Sequence, residues 1–189
     1  AVFFRQSFTS QSQFISYQNA ETALAAEKSV LDDVGPESST YYKLLSDTDW
    51  DFALVRNPEE AAKVDELYLA KDYTGDAFQP EYVPQAWQTY RNEDGTFQYD
   101  EPMYTNHALP WFSNFEPVNY GDPHAPTVYN PVGYYRTSFE VPENWDGRDV
   151  FISFQSVESA YYLYVNGQKV GYSTDAFTAH DFNITPYLT

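Results

Sequence analysis

The feature that most constrains the fold is an Asn166-Gly167 pair set between two short runs of aromatic and β-branched residues. A two-residue type I′ turn needs positive φ at both central positions, and Asn-Gly meets that need at little cost. The flanking runs, Tyr161–Val165 and Gln168–Ser173, are therefore predicted to form a β-hairpin.

Two further strands are predicted upstream of this hairpin. Apolar side chains recur at every second position in residues 150–154 (Val150, Ile152 and Phe154), and residues 134–141 also show a period of two. A period of two is typical of a half-buried strand. The second run places four side chains on one face: Tyr135, Thr137, Phe139 and Val141. The C-terminal third of the chain is accordingly predicted to be antiparallel β-structure.

The first half of the chain predicts two short helices around one strand. Asn19 can cap a helix over residues 20–27, and residues 50–55 (WDFALV) have the composition of a strand. Asn57 followed by Pro-Glu-Glu predicts a second helix that runs to about Leu67, because Pro and acidic residues favour the first helical turn.

Two regions show no regular pattern. Residues 71–126 are rich in Pro, Gly, Asn and Asp, and they are predicted to form a long irregular connection. Its short apolar pieces are residues 82–87, 103–104 and 109–115. Residues 1–18 are polar with scattered aromatic side chains, which predicts an arm that packs on another domain.

Charge and cysteine content exclude several classes of function. The net charge of −18 disfavours binding to nucleic acid or to an anionic membrane surface, and no apolar run approaches 18 residues. The chain has no Cys, which removes disulfides, thiol nucleophiles and thiolate metal sites. No signal-peptide pattern precedes the first strand, and a cytoplasmic location is expected.

No motif in these 189 residues predicts a complete active site. Residues 47–51 (DTDWD) resemble the start of a calcium loop, but they lack its glycine and its final glutamate, so a strand start is favoured. No spacing singles out a pair of carboxylates as catalytic. The three histidines are not in a ligand spacing: His107, His124 and His180.

Asn130 is the one candidate binding residue. Pro131 restricts its backbone, and Gly133 allows a close turn beside it. Its amide can donate and accept hydrogen bonds, as neighbouring sugar hydroxyls require. On the residues alone, an asparagine that opens a turn before a strand is the favoured interpretation.

Several stretches together resemble one family. They are WDF (50–52), VPQAWQ (83–88), PMYTN (102–106), NPVGYYR (130–136), FQSVESAY (154–161), VNGQKVGYS (165–173) and DFNITPYL (181–188). In this order they resemble the N-terminal sugar-binding jelly roll of glycoside hydrolase family 2 β-galactosidases. The resemblance covers roughly residues 40–188. Tyr129 stands where many members of the family have Glu.

The resemblance implies a fold and a division of the chain. The fold class it implies is all-β: a jelly-roll β-sandwich, galactose-binding-domain-like, with short helices and a long irregular N-terminal region. Residues 1–40 would form the arm and a short helix, and residues 41–189 the sugar-binding domain. That domain is expected to stop before its last strand, which would leave an unpaired edge and favour self-association or marginal stability of the isolated fragment.

The resemblance also implies a function. The parent protein would be a retaining hydrolase of terminal β-D-galactosides such as lactose, with its catalytic glutamates in a later TIM barrel. Asn130 would contact the galactose, and the chain itself would hold no catalytic residue. No cofactor is expected in this chain, while the parent would use Mg and Na. The expected partners are a galactoside, the remaining domains of the parent and further copies of it.

Two alternatives remain open from the sequence. A free-standing carbohydrate-binding module would bind galactosides by itself and would need an exposed aromatic platform. A structural or oligomerisation domain would use the arm at residues 1–18 to dock on a partner, and it would not need to bind sugar at all.

Overall fold

A computed structural model describes residues 16–29, 39–102 and 125–189, with the side chains of residues 26–29 left aside. Strands outnumber helices in these ranges. Most of the predicted arm, and the apolar pieces at 103–104 and 109–115, lie outside the described residues. The elements in chain order are α1 (Ala20–Ser29), β1 (Thr48–Val55), α2 (Pro58–Tyr68), β2 (Gln79–Val83), β3 (Val132–Arg136), β4 (Phe151–Phe154), β5 (Tyr161–Val165), β6 (Gln168–Ser173) and β7 (His180–Asn183).

The chain divides into two compact units. The central unit comprises residues 45–138, and the hairpin unit comprises residues 1–44 together with 139–189. Of the helices that are described, neither has the length and apolar character needed to cross a lipid bilayer.

A three-stranded antiparallel sheet forms the central unit, in the order β2-β1-β3. The predicted strand at 50–55 is confirmed and begins two residues earlier, at Thr48. The prediction that residues 71–126 are irregular throughout was wrong at Gln79–Val83, which form an edge strand. Pro80 made a strand an unlikely prediction here, because proline cannot donate a backbone hydrogen bond. It is tolerated in β2 because one side of an edge strand needs no ladder hydrogen bond.

Helix α2 covers one face of this sheet and confirms the predicted helix. The Asn57 side-chain oxygen accepts a hydrogen bond from the Glu60 backbone N–H at 2.9 Å, which satisfies a donor that the helix cannot pair internally. Ala61 of the helix is buried against Ala53 and Tyr134 of the sheet.

An aromatic cluster covers the opposite face. Phe52 is fully buried, and four rings surround it: Trp87, Tyr90, Tyr99 and Tyr135. Gly133 lies beneath this cluster, where a Cβ atom would come within 2.8 Å of the Trp87 ring. The lack of a side chain at Gly133 therefore allows the indole to pack directly on β3.

The hairpin unit contains the two strand pairs β5–β6 and β4–β7. Asn166 and Gly167 have φ of 50° and 76°, so the predicted turn is confirmed. The core of this unit consists of Val150, Leu163 and Ile184.

One predicted strand is shorter than expected. The alternation over residues 134–141 predicted a continuous strand, but β3 ends at Arg136. Phe139 and Val141 instead pack against the core of the hairpin unit without joining a strand. The alternation of apolar side chains at Phe139 and Val141 therefore reflects side-chain packing and not backbone hydrogen bonding to a neighbouring strand.

Candidate functional site

Asn130 lies in the central unit, two residues before β3 begins, and it is half-buried. Its backbone N–H donates to the carbonyl oxygen of Arg56 at 3.1 Å. Its side-chain amide makes no hydrogen bond to any part of the chain that the structure describes. Asn130 is thus held next to the junction of β1 and α2. None of the described residues bonds the oxygen or the nitrogen of its side-chain amide.

The turn formed by residues 128–130 is tied to that junction a second time, through the Val128 carbonyl. This oxygen accepts hydrogen bonds from Arg56 Nε at 3.1 Å and from Asn57 Nδ2 at 3.2 Å. Asn57 therefore caps α2 with its side-chain oxygen while its side-chain nitrogen holds the turn that carries Asn130.

Tyr129 is the middle residue of this turn, and it is half-buried. Burial raises the pKa of Tyr129 well above its ordinary value, with a further rise from Asp100 and a small opposing effect of Arg56.

A buried carboxylate lies in the neighbouring part of the sheet. Glu81 is 8% exposed, and it accepts hydrogen bonds from the Tyr99 hydroxyl at 2.6 Å and from the Gln98 side-chain amide. Burial raises the pKa of Tyr90 to about 12, with Glu81 as the second cause. Gln98 and Tyr99 are neutral donors that satisfy the buried carboxylate. Through these two hydrogen bonds, Glu81 links the edge strand β2 to the segment that precedes Asp100.

The sequence predicted Asn130 as a candidate contact residue but did not predict the residues that hold its turn. Arg56 had no motif of its own. The one local signal was Asn57, whose cap was predicted although its bond to Val128 was not. These contacts join segments far apart in the chain, and no local pattern reports them.

The described residues contain no group of three or more His, Asp or Glu side chains that could hold a metal ion. His107 and His124 lie outside those residues, while His180 belongs to β7. Residues 47–51 lead into β1 as predicted, and Asp47 accepts a hydrogen bond from the Tyr82 hydroxyl.

The family model described as "Glycosyl hydrolases family 2, sugar binding domain" matches residues 43–189. The chain belongs to this family. The match includes all of the central sheet and both strand pairs of the hairpin unit.

Two curated relatives of this family 2 chain are β-galactosidases. One, from Priestia megaterium, is 38% identical over 172 residues, which are 91% of this chain and 14% of the relative. Another, from Clostridium acetobutylicum, is 44% identical over 106 residues, which are 54% of this chain and 12% of the relative. The family 2 chain thus spans about a seventh or less of the length of these relatives.

Among solved structures, one match is Bacteroides uniformis β-glucuronidase 2 covalently bound to cyclophellitol-6-carboxylate aziridine. The TM-score is 0.44 at 15% identity, over 78% of this family 2 chain and 13% of that protein. A score in this range does not establish a shared fold, so the assignment to family 2 rests on the sequence match.

Proposed function

We propose that residues 41–189 form the N-terminal sugar-binding domain of a larger β-galactosidase, preceded by an arm and short helix at residues 1–40. The observation that carries this proposal is the Asn130 turn. The turn is held by Arg56 and Asn57, and it presents an amide that no described residue uses. The family match and the names of the relatives support the galactoside as the substrate class.

The proposed role of Asn130 is to contact neighbouring hydroxyl groups of a terminal β-D-galactoside such as lactose. A carboxamide presents one acceptor oxygen and two N–H donors, so it can accept from one hydroxyl while it donates to the next. In a retaining mechanism, one carboxylic acid protonates the leaving oxygen and a second carboxylate attacks the anomeric carbon. We assign both groups to the part of the parent that follows this sequence, so the chain itself would bind substrate without cleaving it.

The finer architecture belongs to the same proposal. We propose that residues 41–189 adopt a galactose-binding-domain-like jelly-roll sandwich. Its strands would include the pairs β4–β7 and β5–β6 and the three-stranded sheet β2-β1-β3. We also propose that the parent assembles as a homo-oligomer. We place it in the cytoplasm, because a chain without Cys needs no oxidising compartment to form disulfides.

We propose that the parent uses Mg and Na. The proposed contribution of this chain is sugar contact through Asn130.

The proposal is tested in the complete polypeptide that carries this sequence. Asn130→Ala should lower kcat/KM for a nitrophenyl β-galactoside by about tenfold to a hundredfold, because one or two hydrogen bonds to the sugar are lost. Asn92→Ala is the matched control, since Asn92 is an exposed turn residue of the same unit that bonds only its own turn. Wild-type kcat/KM in Asn130→Ala, or hydrolysis by residues 1–189 alone, would refute the proposal.

One observation favours a second candidate, the free-standing carbohydrate-binding module. Tyr162 and Tyr172 form an exposed cross-strand pair on the β5–β6 hairpin, with ring centroids 4.7 Å apart. The Lys169 ammonium lies 4.0 Å from the Tyr162 ring, which leaves Tyr172 as the ring available for a pyranose. Titration of residues 1–189 with galactose and galacto-oligosaccharides separates the candidates, because only the module predicts binding that Tyr172→Ala abolishes.

A further inference from the structure

A cleft lies in the central unit between β1, β3 and the segment that follows α2. Its volume is about 140 Å³. Six residues line it, and several of them are exposed, so the cleft is open to solvent: Asp51, Tyr73, Thr74, Gly75, Phe78 and Arg136. Asn130 precedes the first residue of β3 and Arg136 is the last. About 13 Å of strand therefore separates this cleft from the Asn130 turn.

The two charged residues of the cleft are cross-strand neighbours. Asp51 lies directly opposite Arg136 in the β1–β3 ladder, where opposite charges attract each other. The guanidinium nevertheless bonds the chain at the end of α2. Its Nη1 donates to the Tyr68 carbonyl at 3.1 Å, and its Nη2 donates to the carbonyls of Ala70 and Lys71 at 3.1 and 3.3 Å. Backbone acceptors at a helix end lack helical partners, so these bonds hold the guanidinium there.

Two aromatic rings fix the guanidinium further. Its central carbon lies 5.6 Å from the ring centroid of Tyr73 and 5.4 Å from that of Phe78, which is the range of a cation–π contact. The three carbonyl bonds leave the Nε–H and one Nη1–H of Arg136 without a partner among the described residues. The cleft therefore has a positioned cation with donors to spare.

The cleft also contains unused acceptors. The exposed Asp51 carboxylate makes neither an ion pair nor a hydrogen bond with any residue in the described ranges. The hydroxyl groups of Tyr73 and Thr74 are likewise not bonded to residues in those ranges, and they add to the polar lining. Gly75 allows the Tyr73 hydroxyl group to lie against the backbone, because a Cβ atom at this position would clash with it.

We propose that this cleft binds a neutral sugar through two neighbouring hydroxyl groups. One hydroxyl accepts a hydrogen bond from the Arg136 guanidinium, and the next donates to the Asp51 carboxylate. The two charges select this class of ligand, because Asp51 repels an anion and Arg136 repels a metal cation. Pockets for drug-sized molecules measure about 300–1,000 Å³, so this smaller cleft suits a single sugar ring. The site goes beyond the proposed function and does not depend on Asn130.

The test uses the complete polypeptide that carries this sequence, with a reporter inside the cleft. Threonine methyl groups are labelled with ¹³C, and the Thr74 signal is assigned by its loss in Thr74→Ser. Titration with methyl β-D-galactopyranoside should shift this signal along a saturating curve. Asp51→Asn removes the charge at nearly constant shape, and it should raise the half-saturation concentration by about fivefold to tenfold. Because Asp51 is exposed, the thermal midpoint of this variant should match the wild type.

Asp49→Asn is the matched control, since Asp49 is an exposed carboxylate of the same strand that does not line the cleft. It changes the net charge equally and should leave the half-saturation concentration unchanged. Asn130→Ala should also leave the Thr74 curve unchanged. Three other probes should not shift the signal: inorganic phosphate, Mg²⁺ and tetrahydropyran-2-methanol, which lacks the ring hydroxyl groups.

The outcomes separate this site from the proposed function. A Thr74 signal that stays fixed up to about 100 mM sugar refutes the site. An equal rise in half-saturation concentration in Asp49→Asn, or a rise in Asn130→Ala, refutes it too, since the signal would then follow overall charge or the Asn130 turn. A shift with phosphate or Mg²⁺ overturns the neutral class of ligand. If Asn130→Ala keeps wild-type kcat/KM while Thr74 responds as expected, the proposed function fails and this site stands.

Discussion

Asn57 and Val128 lie 71 positions apart in the chain and are joined by a hydrogen bond of 3.2 Å from the Asn57 side-chain nitrogen to the Val128 carbonyl. The same carboxamide caps α2 with its oxygen. One side chain therefore links the start of a helix to the turn that carries the candidate sugar contact.

This double role can be separated by substitution. Asn57→Asp keeps the acceptor that caps α2 and loses the donor to Val128, whereas Asn57→Ala loses both. We expect Asn57→Ala to destabilise α2 by about 1 kcal/mol and Asn57→Asp to leave the helix nearly unchanged. Hydrogen exchange at the Glu60 amide measures the cap.

The bond to Val128 is tested by the affinity of the complete polypeptide for a non-hydrolysable alkyl thiogalactoside, measured in the same two variants. Both should weaken it by a similar factor, because both lose the bond to Val128. If Asn57→Asp binds like the wild type while Asn57→Ala does not, the cap and not the bond to Val128 controls the turn.

Local chemistry allowed α2 and the β5–β6 hairpin to be predicted. The cap at Asn57 and the turn at Asn166 act within a few residues of the elements they define. Strand β2 could not be predicted because its stability comes from pairing with β1, and Pro80 obscured its pattern. The predicted continuation of β3 through Val141 was wrong, because Phe139 and Val141 pack against a core without joining a partner strand.

The candidate site shows the same division. The family resemblance made Asn130 a candidate for sugar contact, while Pro131 and Gly133 alone favoured a turn asparagine, and the contact stays a prediction. The bonds from Arg56 and Asn57 to Val128 were not predicted, because they join residues that no local pattern relates.

Gly133 should not tolerate a side chain. A Cβ atom there would lie 2.8 Å from the Trp87 ring and 2.9 Å from the Phe52 ring. Gly133→Ala should lower the free energy of unfolding by about 1–3 kcal/mol through overpacking. Denaturant unfolding followed by Trp fluorescence measures this loss.

The smaller ring in Gly133→Ala/Trp87→Phe provides the control for that prediction. This double variant should be less destabilised than the sum of its two single changes, because the substitutions compensate at one contact. Strict additivity would contradict a direct clash between the new methyl group and the indole.

The Asn166 turn separates a backbone effect from a hydrogen bond. Asn166 has φ of 50°, and its Nδ2 donates to the Tyr187 carbonyl at 2.7 Å. Asn166→Gly should cost about 1 kcal/mol for the lost bond, and Asn166→Ala about 1–2 kcal/mol more for the left-handed backbone. Equal losses in the two variants, measured by urea unfolding, would mean that the backbone conformation contributes nothing.

Four tyrosines with raised pKa values should make the free energy of unfolding fall at high pH. Burial is the first cause that raises the pKa of Tyr90, to about 12, and it also raises the pKa values of Tyr99, Tyr129 and Tyr135. Because the folded pKa values exceed the unfolded value near 10, this stabilisation is complete below about pH 10 and is lost as the pH rises through the folded values. Absorbance at 295 nm should therefore show a late group of tyrosines that titrates together with unfolding. Tyr90→Phe should remove one phenol from that group, and an unchanged late amplitude in this variant would show that Tyr90 titrates with the exposed tyrosines instead.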